Sequence, residues 1–263
     1  MRYPQFQVDA FADRVFAGNS AAVVPLSAWP HDALLQAIAH ENQLSETAFF
    51  VPEGDDYALR WFTPTREVDL CGHATLATAH VLFTHLGCSS KQLRFHTRSG
   101  VLQVEREQGL LWMDFPAQPA TPTAAPVALL QAIGQEPHAV LAASDWMVVL
   151  DDPAAVEALA PDFGLLQQLD RRGVIVTAPG AAPVDFVSRF FAPRYGIAED
   201  AVTGSAHCTL GPYWRERLGK DSLLGEQRSQ RGGRVQCRVG DTRVQLGGTA
   251  VTFLEGTIHV PGD

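Results

Sequence analysis

Asp69-Leu70-Cys71-Gly72-His73-Ala74-Thr75 and Ala201-Val202-Thr203-Gly204-Ser205-Ala206-His207 are two versions of one motif. Phe62-Thr63-Pro64 precedes the first and Phe191-Ala192-Pro193 the second. Each is followed by an apolar run with helical spacing that closes on Leu-Gly, at Leu86-Gly87 and at Leu218-Gly219. A basic, glycine-containing strand start comes next, Thr97-Arg98-Ser99-Gly100 and Gln230-Arg231-Gly232-Gly233. Arg98 follows Cys71 by 27 residues and Arg231 follows Thr203 by 28. Several matches in one order at one spacing indicate a duplicated half-protein. Two similar lobes make an interface between them, a favoured place for a small-molecule site.

The remaining elements fit two copies of one scheme. Strands are expected at Tyr3–Phe11, Ala21–Val24, Ala48–Val51 and Tyr57–Phe62, with a helix from Pro30 to Asn42. A second helix covers Ala74–Leu86, and Leu93–Glu105 with Leu110–Phe115 reads as a hairpin. Pro116–Pro126, with four prolines and four alanines, is the natural connector. Beyond it come a short helix at Val127–Ile133, strands in Ala139–Leu150 and a helix over Pro153–Leu169. Strands at Val174–Thr177 and Phe186–Phe191, a central helix at Ala206–Leu218 and closing strands in Arg234–Val260 complete the chain. The expected fold is α+β: two pseudo-symmetric lobes, each of antiparallel strands wrapped round a central helix. The boundaries are 1–116 for the N-terminal lobe, 117–126 for the linker and 127–263 for the C-terminal lobe.

A formal net charge of −9 over 263 residues argues against a nucleic-acid or anionic-membrane surface. It leaves room for an anionic small molecule in a cleft. Cys71, Cys88, Cys208 and Cys237 form no Cys-x-x-Cys pair, which suits reduced thiols in a cytoplasmic protein. No apolar run reaches the roughly 20 residues of a membrane-spanning helix, and the N-terminus lacks a signal-peptide core.

The two motifs each open a helix, offering free backbone N–H groups beside Gly72 and Gly204. Such groups suit a carboxylate or a developing enolate; Thr203 and Ser205 are also ordinary capping residues. Glu46 enters the apolar stretch Thr47-Ala48-Phe49-Phe50, as a cleft-facing acid–base group or as a turn residue. Aligning Pro52 with Pro179 puts Gly173 opposite it, so the halves share a frame but not reactive groups. Asp200 suits a substrate amine, a base to be oriented, or the helix dipole. His73 suits a proton carrier or a hydrogen-bond donor. Cys71, at a helix start, is a base, a nucleophile or a small buried residue. His73 and His80 are seven apart, not at His-x-x-x-His spacing, so no metal site is expected. No Gly-x-Gly-x-x-Gly, Walker loop or Schiff-base lysine signature is present, so no cofactor is expected.

Phe16-Ala17-Gly18-Asn19, Leu44-Ser45-Glu46-Thr47-Ala48-Phe49, Phe62-Thr63-Pro64, Glu67 to Thr75 and Glu199 to Ala206 together resemble the PhzF family of phenazine-biosynthesis-like isomerases. That family is similar in fold to diaminopimelate epimerase. The resemblance implies cofactor-independent proton transfer at carbon, on a small carboxylate-bearing metabolite, with a homodimer the usual state. The epimerase relatives use two cysteines; Cys71 matches the first and Thr203 stands at the second. The family's glutamate falls on Glu46 as proton carrier in the inter-lobe cleft. His73 and Asp200 join it as catalytic residues, and Asn19, Gly72, Thr203, Gly204 and Ser205 as substrate-binding ones. Ser20 and Ala201 stand where the family commonly has proline. Two alternatives stay open: a binding protein that keeps the cleft without catalysis, and a racemase built on Cys71.

Overall fold

A computed structural model describes residues Met1–Val260. The chain divides into two compact units, Met1–Asp114 with Gly247–Asp263, and Phe115–Leu246. In the first, β1 (Arg2–Ala10), β2 (Asn19–Pro25), α1 (Asp32–Asn42), β3 (Glu46–Glu53), β4 (Asp56–Phe62) and β5 (Glu67–Val68) lead to α2 (Gly72–Thr84). The strands β6 (Gln92–Thr97), β7 (Gly100–Glu107) and β8 (Leu110–Pro116) follow. Neighbours β1–β2, β3–β4, β4–β5, β6–β7 and β7–β8 are antiparallel, whereas β2–β3 and β4–β6 are parallel.

The second unit holds β9 (Thr121–Pro122), α3 (Val127–Ile133), β10 (Ala139–Ala142), β11 (Trp146–Val149), α4 (Pro153–Glu157) and α5 (Phe163–Leu166). Then come β12 (Val174–Pro179), β13 (Phe186–Ala192), β14 (Ile197–Asp200), α6 (Gly204–Leu218), β15 (Ser222–Gln227), β16 (Gly233–Val239) and β17 (Arg243–Gly248). Its pairings repeat those of the first unit: β11–β12 and β13–β15 are parallel, while β10–β11, β12–β13, β13–β14 and β15–β16 are antiparallel. A buried-rim ion pair is repeated too. Arg60 on β4 grips Glu67 on β5 through two hydrogen bonds, and Arg189 on β13 grips Glu199 on β14 in the same way. The duplication legible in the motifs is therefore a duplication of topology.

Helices α2 and α6 are the central ones. Ten of the thirteen α2 residues are buried, including Ala74, Leu76, Val81 and Leu82, which is what a helix apolar on every face requires. Inside α6, Pro212 has no N–H to give the carbonyl of Cys208 four residues back. The backbone N–H of Gln118 fills that carbonyl instead, at 2.9 Å. Together with the β9–β10 pairing and Ala117 N–H on Thr242 O, this docks the proline-rich stretch 117–126 on the second unit.

Three details differ from the sequence expectation. The last strand, β18 (Ala250–His259), runs antiparallel along β1 from Arg2↔His259 to Ala10↔Ala250. Residues from Gly247 onward thus join the first unit, not the lobe placed at 127–263; a strand's partner is set by long-range pairing that local pattern does not carry. Leu93–Glu105 is not one strand: Gly100, at φ +99°, turns the chain between β6 and β7. Pro153–Leu169 is two short helices, because Pro161 interrupts the run and Asp162 recaps it by accepting from Leu165 N–H.

Gly18 shows why the Phe-Ala-Gly-Asn motif needs glycine. Its φ is +65°, and a Cβ there would lie 2.2 Å from the carbonyl oxygen of Ala10. Gly18→Ala is expected to destabilise the first unit by about 1–3 kcal/mol or more, read as a lower urea midpoint. Asp9, 2% exposed, supports the same turn by accepting from Phe16 N–H at 2.9 Å.

Candidate active site

The first unit brings Glu46, Cys71 and His73 together. Glu46 is the first residue of β3 and pairs with Ala21 of β2. Cys71 and His73 come from the start of α2, which the 67–70 segment delivers to that end of the sheet. His73 Nε2 lies 3.1 Å from Glu46 Oε2, and the side chains are only 9% and 13% exposed. The two atoms are not aligned as a hydrogen bond, and each lacks another partner among the described residues. The other ring nitrogen, Nδ1, meets Cys71 Sγ at 3.6 Å. Asn19, 1% exposed at the start of β2, accepts from the hydroxyl of Ser45, the residue before Glu46, at 3.4 Å.

Electrostatics in this cluster follow from burial and contact. Burial is the largest influence on Cys71 and pushes its thiol up, with the charge of Glu46 adding to the effect. Burial works against charge on His73 as well. Cys71 and Glu46, on its two ring nitrogens, outweigh it and hold the imidazole well above its ordinary range.

Neither central helix is capped by a side chain at its start: Cys71 precedes α2 and Thr203 precedes α6, both in extended conformation. By contrast His31, Asp152 and Asp162 cap α1, α4 and α5. At α6 the hydroxyl of Thr203 turns away and donates to Asp200 Oδ2 at 2.6 Å. Gln227, fully buried, holds this corner by donating to Asp200 O and Thr203 Oγ1 and accepting from Thr203 N–H. The structure thus assembles Asp200, Thr203, Gly204 and Ser205 in the second unit, and Asn19, Glu46, Gly72 and His73 in the first.

Two further residues carry no motif signal. Asp145 is 1% exposed, and Arg172 grips it through Nε at 2.9 Å and through Nη2. The same Nη2 donates to Ser205 Oγ at 2.9 Å. That hydroxyl oxygen is occupied as an acceptor, so its proton is free to point elsewhere as a donor. Arg172 is the residue before Gly173, the counterpart of Glu46. The asymmetry between the halves has a packing cause: a Cβ at Gly173 would lie 2.4 Å from the Phe190 ring. The second unit has no room for a side chain where the first carries its carboxylate.

Along α2 alone, His73 and His80 are spaced too widely for a metal pair. The fold adds Glu46 from another strand, and ligand atoms of Glu46, Cys71 and His73 all lie within 4.8 Å of one another. Such a set could hold a metal ion.

A family model described as "Phenazine biosynthesis-like protein" matches residues 8–256. The chain belongs to this family. It is an isomerase family: an uncharacterized isomerase of Pseudomonas aeruginosa is 56% identical over 255 residues, covering 97% of this chain and 98% of that protein. A PhzF-family structure from Enterococcus faecalis superposes with a TM-score of 0.96 at 47% identity, covering 99% of this chain and all of the other. A hydroxyproline epimerase from Agrobacterium vitis shares the fold, with a TM-score of 0.64 at 10% identity over 98% of this chain and 92% of that one. The PhzF-like protein is thus an isomerase with an epimerase-like α+β fold. Among the described residues no helix is long and apolar enough to cross a membrane.

His80 and His207 play a different part. His207 is fully buried; its Nδ1 meets Thr203 O at 2.9 Å, and burial lowers its pKa to about 4. His80 shares the hydroxyl of Thr252 with His85, and burial followed by the neighbouring His85 lowers its pKa to about 4. Both folded-state values lie below the unfolded value near 6.5. As pH falls through that window the unfolded chain takes up protons that the fold refuses, so stability is full above about pH 6.5 and declines toward pH 4. The thermal midpoint should follow this course, and His207→Gln should flatten it.

Proposed function

We propose that this PhzF-like isomerase moves a proton at carbon in a small carboxylate-bearing metabolite without a cofactor, with Glu46 as the proton carrier. The observation that carries the reading is the buried Glu46–His73 contact, 3.1 Å with no competing hydrogen bond, at a position the duplicated half leaves as glycine. Glu46 takes the proton from one carbon and returns it to another carbon or to the other face. The raised imidazole of His73 keeps a positive charge beside the carboxylate and supplies a donor to the substrate. Uncapped N–H groups at Gly72 and Gly204 suit the substrate's carboxylate or the charge that develops on deprotonation. Asp200, fixed by Thr203, completes the catalytic set; Asn19, Thr203 and Ser205 serve binding.

The Cys71 racemase is the weaker reading. Burial pushes that thiol up, Thr203 stands at its counterpart, and a two-base reaction lacks its second thiol. A cytoplasmic homodimer belongs to the same proposal, and light scattering gives its mass. The chemistry is tested by incubating the protein with pools of small carboxylic acids in heavy water and following deuterium at carbon by mass spectrometry. The expected result is one acid or a close set gaining deuterium only with active protein. Exchange into none of the pools at any enzyme concentration would sink the reading.

A further inference from the structure

We propose that Cys71, His73 and Glu46 form a site for one thiophilic divalent metal ion, of which zinc is the representative. The donor set is one sulfur, one imidazole nitrogen and one carboxylate oxygen, the mixture that selects zinc or cobalt over magnesium or calcium. Three protein ligands with a fourth position left for water is the usual arrangement of an open zinc site. Bonds of about 2.0–2.3 Å in a tetrahedron put neighbouring donors about 3.3–3.7 Å apart. Cys71 Sγ and His73 Nδ1 are already 3.6 Å apart, and all three donors lie within 4.8 Å. Glu46 Oε2 faces the other ring nitrogen, Nε2, at 3.1 Å, so its carboxylate has to swing round the ring edge to join an ion held by Nδ1 and Sγ.

A second observation concerns the buried contact between His73 and Glu46: His73 Nε2 and Glu46 Oε2 face each other at 3.1 Å without an aligned hydrogen bond, so an ion would replace a loose contact and not a formed bond. The thiol proton and the Nδ1 proton of the imidazolium are both released to solvent as the metal–sulfur and metal–nitrogen bonds form. Binding stands independently of the proton-transfer reading. Its consequence rests on that reading: an ion on Glu46 occupies the proton carrier, so the metal is an inhibitor and not a cofactor.

Cobalt(II) chloride titrated into metal-free full-length protein is the probe. One equivalent should bind and produce a sulfur-to-cobalt charge-transfer band with the visible bands of tetrahedral cobalt, and zinc should displace it. Cys71→Ser and Cys71→Ala should abolish the charge-transfer band. Glu46→Gln should weaken cobalt binding at least ~10-fold. Cys88→Ser, outside the cluster, should leave it unchanged. Circular dichroism and thermal midpoints confirm that each variant is folded. No band in the wild type, a band that persists in folded Cys71→Ser, or one that vanishes in Cys88→Ser would each overturn the site. A Glu46→Gln protein that still exchanges deuterium overturns the proton-carrier role instead and leaves the cobalt result standing, so the two failures are separable.

Discussion

Glu46→Gln is expected to lose about 10²- to 10⁴-fold in the rate of deuterium incorporation, the usual contribution of a positioned acid–base group. The amide keeps the shape and hydrogen-bonding reach of the carboxylate but cannot carry the proton. Glu46 begins β3 and its backbone pairs with Ala21, so the substitution leaves the strand register alone. Substrate binding should therefore survive, and the loss should sit in turnover. Cys71→Ala is the companion measurement. Cys71 touches His73 at 3.6 Å without meeting the reacting carbon in this reading, so its removal should cost far less than loss of Glu46. If Glu46→Gln exchanges as fast as wild type while Cys71→Ala does not, the cysteine is the base and the proposal is wrong.

Arg172→Ala should destabilise the second unit by about 3 kcal/mol, read as a lower urea midpoint. Removing the guanidinium leaves Asp145, 1% exposed, as an uncompensated buried charge. Breaking a buried pair from one side costs about 3–5 kcal/mol. The lower end applies because the Arg172 side chain is itself 39% exposed, so water reaches part of the pair. The double variant Asp145→Asn, Arg172→Gln removes both charges and should recover most of the loss. An Arg172→Ala midpoint equal to wild type would show that the pair adds nothing to stability. Arg172 also holds Ser205 Oγ, so the single variant should loosen the first turn of α6, visible as faster amide exchange there.

The repeated helix start is legible in the chain because it is made of local rules. A change from a glycine-containing turn to an apolar run of helical period marks a helix start within a few residues, and α2 and α6 begin at Gly72 and Gly204. Gly18 is legible for the same reason: its turn demands φ > 0 within a few residues of sequence. The family motifs already single out Glu46, His73 and Asp200, since each lies in a contiguous stretch.

What the chain alone leaves open depends on partners far away in sequence. The parallel neighbours β2–β3 and β4–β6 give no local sign, since alternation reveals a strand and not its neighbour. β18 joins β1 across nearly the whole chain, and Arg172 reaches Asp145 and Ser205 with no motif in common. The meeting of Glu46 with Cys71 and His73, about 25 residues along, exists only once β3 and α2 share one end of a sheet. Local backbone preferences determined the elements and their duplication; long-range pairing and burial decided which side chains meet, because contact energy acts through space and leaves no period in the sequence.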